Sequence, residues 1–227
     1  MVDPPIQEPT TSAEKKCLKE AEKLFGRLLE DAKKQVDPPA PLRKQIRLGS
    51  DCSGLGSDFL AMKLLGCDVK PVFCSEICPD KVILMTAMHH KFGHSPRVMG
   101  DISARDVESM DAVDVFVSGA PCPAFSAAGL KKALADQRGA VILHSLEYVV
   151  AKRPRIAILE NVRGLSQGDN KCIMQKIIEI LKTANYSVRA EIVDTAEHGL
   201  PHSRNRLYIA AWQSVDGLFL FFNISNS

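Results

Sequence analysis

From residue 45 onward, short apolar runs alternate with longer stretches of helical periodicity, and few architectures accept that pattern. Strands buried on both faces read as continuous apolar runs, and parallel neighbours need a long crossover between them, usually a helix. The runs at 45–52, 69–76, 97–102, 114–119, 155–161, 187–194 and 206–212 predict strands, and those at 58–66, 80–93, 140–153 and 171–185 predict helices. The expected fold is α/β, a doubly wound, mostly parallel seven-stranded sheet. No helical stretch separates the last two runs, so they can form antiparallel neighbours at one edge.

A chain of 227 residues, 45% of them hydrophobic, can bury such a sheet between helix layers as one domain. Before it, residues 1–12 are polar and proline-rich and read as disordered, whereas 12–36 carries an apolar stripe of Leu18, Ala21, Leu24, Phe25, Leu28, Leu29, Ala32 and Val36. Ser12 can cap that helix and "DPPAP" (37–41) ends it. The expected organisation is an extension (1–44), a core (45–213) and a short tail (214–227). Net charge is only +2, so any affinity for nucleic acid has to come from a local patch. Seven cysteines without framework spacing, behind a polar N-terminus, predict a reduced intracellular protein. Cys74 and Cys78 lack a second ligand pair, so no metal is expected, and "GLFLFF" is too short to span a membrane.

In an open α/β sheet, ligands bind beyond the carboxyl ends of the strands. The first strand runs into "CSGLGSDF" (52–59), where Gly54 and Gly56 permit a tight turn, and the second ends at Glu76, a carboxylate placed to accept ribose hydroxyls. Phe59 stands where a dinucleotide fingerprint has its third glycine, which favours a phosphate-free ligand such as S-adenosylmethionine. A dinucleotide dehydrogenase is the weaker alternative. Asp101 can accept from an adenine amino group, cap a helix, or do both. After the fourth strand, "GAPCPAFSAAG" (119–129) holds Cys122 between two prolines that restrict its backbone, with small neighbours that leave the sulfur uncovered. Glu160 in "ENV" and Arg206 in "HGLPHSRNRLYIA" suit the edge of a pyrimidine. Taken singly, the cysteine can instead fill a turn, Glu160 can cap one, and the arginines can pair with surface acids.

Taken in order, these segments resemble the motifs of the C5-cytosine DNA methyltransferases over about residues 45–213: "SGLG", "SEICPD", "GDI", "GAPCPAFS", "ENVRGL" and "GLPHSRNRLYI", with "ADQRG" resembling the segment that closes the mobile loop. The resemblance implies a Rossmann-like S-adenosylmethionine-dependent fold and methyl transfer to C5 of cytosine in DNA. It implies catalytic Cys122, Glu160, Arg204 and Arg206, and cofactor contacts from Ser53, Gly54, Leu55, Gly56, Glu76, Ile77, Asp101, Ile102 and Pro121. Cys122 would add to C6, Glu160 would support N3, Arg206 would hold O2, and Arg204 would orient the loop or a phosphate. The target base has to leave the duplex, and Lys131, Lys132 and Arg138 would contact the strand around it.

The chain departs from the family pattern in several places. Cys52 replaces the aromatic residue that packs on adenine, Ser57 the second glycine, and His202 the glutamine before the arginine pair, while Pro123 stands where a polar residue is common. The target-recognition domain and the last two motifs have no counterpart. Two alternatives follow, a catalytically silent or truncated core that binds nucleic acid or a partner enzyme and a tRNA cytosine methyltransferase, and a partner protein that supplies target recognition is a further expectation. Localisation is expected to be intracellular, and nuclear in a eukaryote.

Overall fold

The computed structural model describes residues 45–121 and 137–213, with the backbone alone at residues 137–140 and at Asp169, together with Lys19, Lys23, Arg27, Glu30 and Asp31. The strands are β1 (Ile46–Asp51), β2 (Val69–Ser75), β3 (Arg97–Met99), β4 (Val115–Ser118), β5 (Ile156–Val162), β6 (Tyr186–Asp194) and β7 (Asn205–Gln213). The helices that alternate with them are α1 (Ser57–Leu64), α2 (Pro79–Lys91), α3 (Gln137–Lys152) and α4 (Lys171–Thr183). Every strand and helix expected from residue 45 onward is present.

The strand order is β3-β2-β1-β4-β5-β7-β6. All neighbours on the β3 to β5 side pair in parallel, whereas β7 is antiparallel to both β5 and β6. The helix-free link between the last two strands lets β7 turn back from β6 and enter the sheet beside β5. The reversal is as expected, but β7 is interior and β6 takes the edge.

Packing divides between the two faces. Phe73, Phe116, Leu143, Leu146, Tyr148, Leu159, Ile177 and Ile209 form the larger core, under α3 and α4. Leu48, Phe59, Val69 and Val115 form the smaller one, beneath α1. In α4 the buried residues Ile173, Ile177, Ile180 and Leu181 follow the helical repeat, so one stripe meets the sheet. Gly49 is needed where β1 crosses Phe73, because a Cβ there would lie 2.5 Å from its ring. Phe59, which occupies the place of the third glycine, is buried and packs against the rings of His89, Phe92 and His94. Among the described residues no helix is long and apolar enough to cross a membrane. Cys122, Lys131, Lys132, Pro123, the tail 214–227 and most of the extension 1–44 lie outside the described residues, as does the side chain of Arg138.

Candidate active site

The carboxyl ends of β1, β2, β4 and β5 come to one edge of the sheet, and the sequence-predicted site residues follow them. Cys52, Gly54 and Gly56 all have positive φ, at 53°, 57° and 77°, which folds the chain sharply before α1 begins. Gly56 N–H closes the turn onto the Ser53 carbonyl at 2.9 Å. The Ser53 hydroxyl is spent inside the turn: it donates to the Ser50 carbonyl and accepts from the Ser75 N–H, so Ser53 offers only backbone to a ligand. A Cβ on Gly54 would meet nothing within 4 Å, so the turn opens onto free space.

Glu76 faces that space. Its Oε2 accepts from Gly54 N–H at 3.0 Å, and its Oε1 accepts from the Ile77 and Cys78 N–H groups, each at 3.0 Å. Three amides therefore hold the carboxylate, while the lone pairs left over can take ribose hydroxyls. Leu55 and Ile77 are exposed apolar side chains on either side. At the end of β3, Asp101 Oδ1 caps a short 3-10 turn by accepting from Ser103 N–H and its hydroxyl, at 2.9 and 2.8 Å. These bonds hold its carboxyl below the usual range. Ile102 beside it is buried.

On the neighbouring strands, Arg206 Nε lies 2.9 Å from Glu160 Oε1. β5 and β7 set this contact, since Glu160 pairs with Tyr208 and Val162 with Arg206 in the antiparallel register. Burial and the Glu160 charge push the Tyr208 phenol up. Arg204 stays on the surface, in the loop between β6 and β7. That loop is organised by Asp194, which accepts from Ala196 N–H, the Ser203 hydroxyl, Arg204 N–H and the Asn205 side chain. Pro121 is exposed at the end of the described segment before Cys122. The buried Asn161 donates to the Ala120 carbonyl at 3.3 Å and so fixes the chain just ahead of the cysteine. Burial pushes Cys52 and Cys74 up to about 12, which keeps both as thiols near neutral pH.

Sequence reasoning missed Asn161, Asp194 and a buried polar layer below the ligand cradle. In that layer Arg105 holds both oxygens of Asp51, which also accept from the Ser75 and Ser145 hydroxyls at 3.0 Å. Ser118 bonds Ser145 at 2.9 Å. The available signal was a polar residue ending each of three apolar strands: Asp51, Ser75 and Ser118.

Residues 47–224 match the family model described as C-5 cytosine-specific DNA methylase. The chain is 35% identical over 169 residues to the type II methyltransferase M.NlaX of Neisseria lactamica, covering 74% of this chain and 53% of that protein. It is 32% identical over 181 residues to M.DsaV of Dactylococcopsis salina, covering 80% of this chain and 50% of that protein. It thus spans about half the length of these curated relatives. In fold it is similar to the S. pombe Dnmt2 methyltransferase, with a TM-score of 0.62 at 19% identity, covering 77% of this chain and 51% of that one.

Proposed function

This chain belongs to the C-5 cytosine-specific DNA methylase family, and we propose that it methylates C5 of cytosine in DNA through a covalent adduct on Cys122. The observation that carries the reading is the Arg206–Glu160 contact, one strand from the chain that leads into Cys122 and two from the glycine turn. A guanidinium and a carboxyl held together at that edge match the acceptor and nitrogen positions of a cytosine ring.

The residues present fit S-adenosylmethionine: the open space over Gly54 would accept a ligand close to the backbone, Glu76, held by the Gly54 amide, would take the ribose, and Asp101, which caps the turn after β3, would take the adenine. When bound, that cofactor supplies an electrophilic methyl group on a sulfonium. The rest is done by the chain. Cys122 as thiolate adds to C6 of an extruded cytosine, giving C5 the electron density it lacks. Glu160 in its protonated form donates to N3 and stabilises the enamine, and Arg206 holds O2. Once C5 carries the methyl group, loss of its proton to a base re-forms the C5–C6 double bond and expels the thiolate, and N3 returns its proton to Glu160. Asn161 keeps the nucleophile segment in place through Ala120, and Asp194 holds the loop that presents Arg204 to the DNA backbone.

The test is methyl transfer from labelled S-adenosylmethionine to duplex DNA and, in parallel, to tRNA, with products read as nucleosides by mass spectrometry. The expected result is 5-methylcytosine in DNA from the wild type and none from Cys122→Ser. Product in tRNA alone would move the reading to RNA, and no product from a folded, cofactor-binding protein would favour a silent core. The named curated relatives are bacterial proteins and give a nuclear location no support.

A further inference from the structure

The buried polar layer lies one residue behind the walls of the cofactor cradle. Asp51 precedes Cys52 and the glycine turn, Ser75 precedes Glu76, and Ser118 precedes Gly119 and the approach to Cys122. In the sheet Asp51 stands in register with both Ser75 and Ser118, so the three side chains form one row across β2, β1 and β4. A single group closes that row from above. The side chain of Arg105 is 2% exposed and that of Asp51 0%; the guanidinium takes both oxygens of Asp51, donates to the His144 carbonyl at 3.2 Å, and lies 5.6 Å from the centroid of the Tyr148 ring.

Arg105 is the residue that ends the 3-10 turn capped by Asp101. The adenine-side wall and the glycine turn come from different connections of the sheet, and backbone pairing alone does not set the distance between them. A bidentate fork between a guanidinium and a carboxylate does set it, because both bonds must be satisfied together. The nearest backbone link, Glu76 N–H to the Met99 carbonyl at 3.0 Å, reaches only the end of β3.

We propose that Arg105 and Asp51 are positioning residues that clamp the Asp101 turn against the glycine turn and so set the affinity for the adenosine half of the cofactor. The proposal rests on the cofactor reading above. Arg105 touches no ligand; it acts through Asp101.

A thermodynamic cycle on S-adenosylhomocysteine binding by the full chain tests this. The paired variant Asp51→Leu/Arg105→Met replaces the buried ion pair with apolar groups and leaves neither charge stranded, a change that folded proteins often tolerate. It should melt close to the wild type yet bind about tenfold more weakly, and in an Asp101→Ala background the same pair should cost less than about twofold, since the clamp then has nothing to place. The same loss should appear with methylthioadenosine, which lacks the amino-acid portion. Should the paired variant not fold, Arg105→Lys carries the comparison, because it keeps the charge and loses the fork. Equal losses with and without Asp101, or full affinity in a folded variant, would overturn the clamp. Wild-type protein that is folded but binds neither ligand would overturn the cofactor reading itself, and the clamp with it.

Discussion

Glu160 and Arg206 are far apart in the chain and meet because β7 lies antiparallel beside β5. In Glu160→Gln the amide cannot donate a proton to N3, so kcat should fall by about 10²- to 10⁴-fold, the usual weight of a general acid. The cofactor dissociation constant should not move, since Glu160 lies on the base side; titration with S-adenosylhomocysteine separates the two effects. Asp58 makes a prediction of the opposite kind. Burial raises its carboxyl above the ordinary value, and its buried Oδ2 has no hydrogen-bond partner. The folded protein therefore takes up this proton at a higher pH than the unfolded chain does, at about 3.9. Above the raised value the charged carboxylate costs stability in full; the cost shrinks as pH falls through that value and is gone below the unfolded one. Asp58→Asn should accordingly raise Tm near pH 7 and leave it unchanged near pH 3, and thermal melts at both values decide it. At this scale the sequence marked the groups proposed to act on a base or cofactor, because their segments lie next to strand ends. It did not show Asp51–Arg105 or Asn161–Ala120, since nothing at local spacing ties a buried polar residue to a partner on another element.

Among the elements, the glycine turn carries the strictest demand. At Gly54, φ is +57° and the space above is empty. Gly54→Ala should cost about 1–2 kcal/mol of stability for a left-handed alanine. It should also weaken cofactor binding by about tenfold or more, since a methyl group in the cradle needs to remove only about 1.4 kcal/mol of contact. Calorimetry with and without S-adenosylhomocysteine measures both, and a loss of stability with unchanged affinity would move the cofactor off this turn. The turn was legible because Gly54 and Gly56 adopt a left-handed backbone without strain, and α4 was legible because its isoleucines repeat with the helix. The interior place of β7 was not. Strand order depends on which edge accepts the returning chain, and the alternation of apolar residues is the same at either position.

For the whole molecule, the open question of assembly concerns the extension. Among its described residues, Arg27 pairs with Glu147 on α3, an ion pair with side chains 56% and 27% exposed. Such a pair is worth about 0–1 kcal/mol, and packing of the apolar stripe of residues 12–36 would add to it. If that stripe packs on the core, removal of residues 1–40 should lower Tm by at least about 4 °C, with each kcal/mol worth roughly 2–4 °C in a domain of this size. An unchanged Tm would mean that the stripe adds no packing to the core. At the sheet edge Glu160 and Arg206 are in contact, and we propose that they act with the Cys122 thiolate on one pyrimidine beside a methyl donor. Trapping on DNA that carries 5-fluorocytosine tests it most directly, because fluorine replaces the proton that must leave C5 and the adduct cannot resolve. With S-adenosylmethionine present, the wild type should form a covalent complex that peptide mass spectrometry assigns to Cys122, and Cys122→Ser should form none. A folded, cofactor-binding wild type that leaves the DNA free, or an adduct on another residue, would contradict the account.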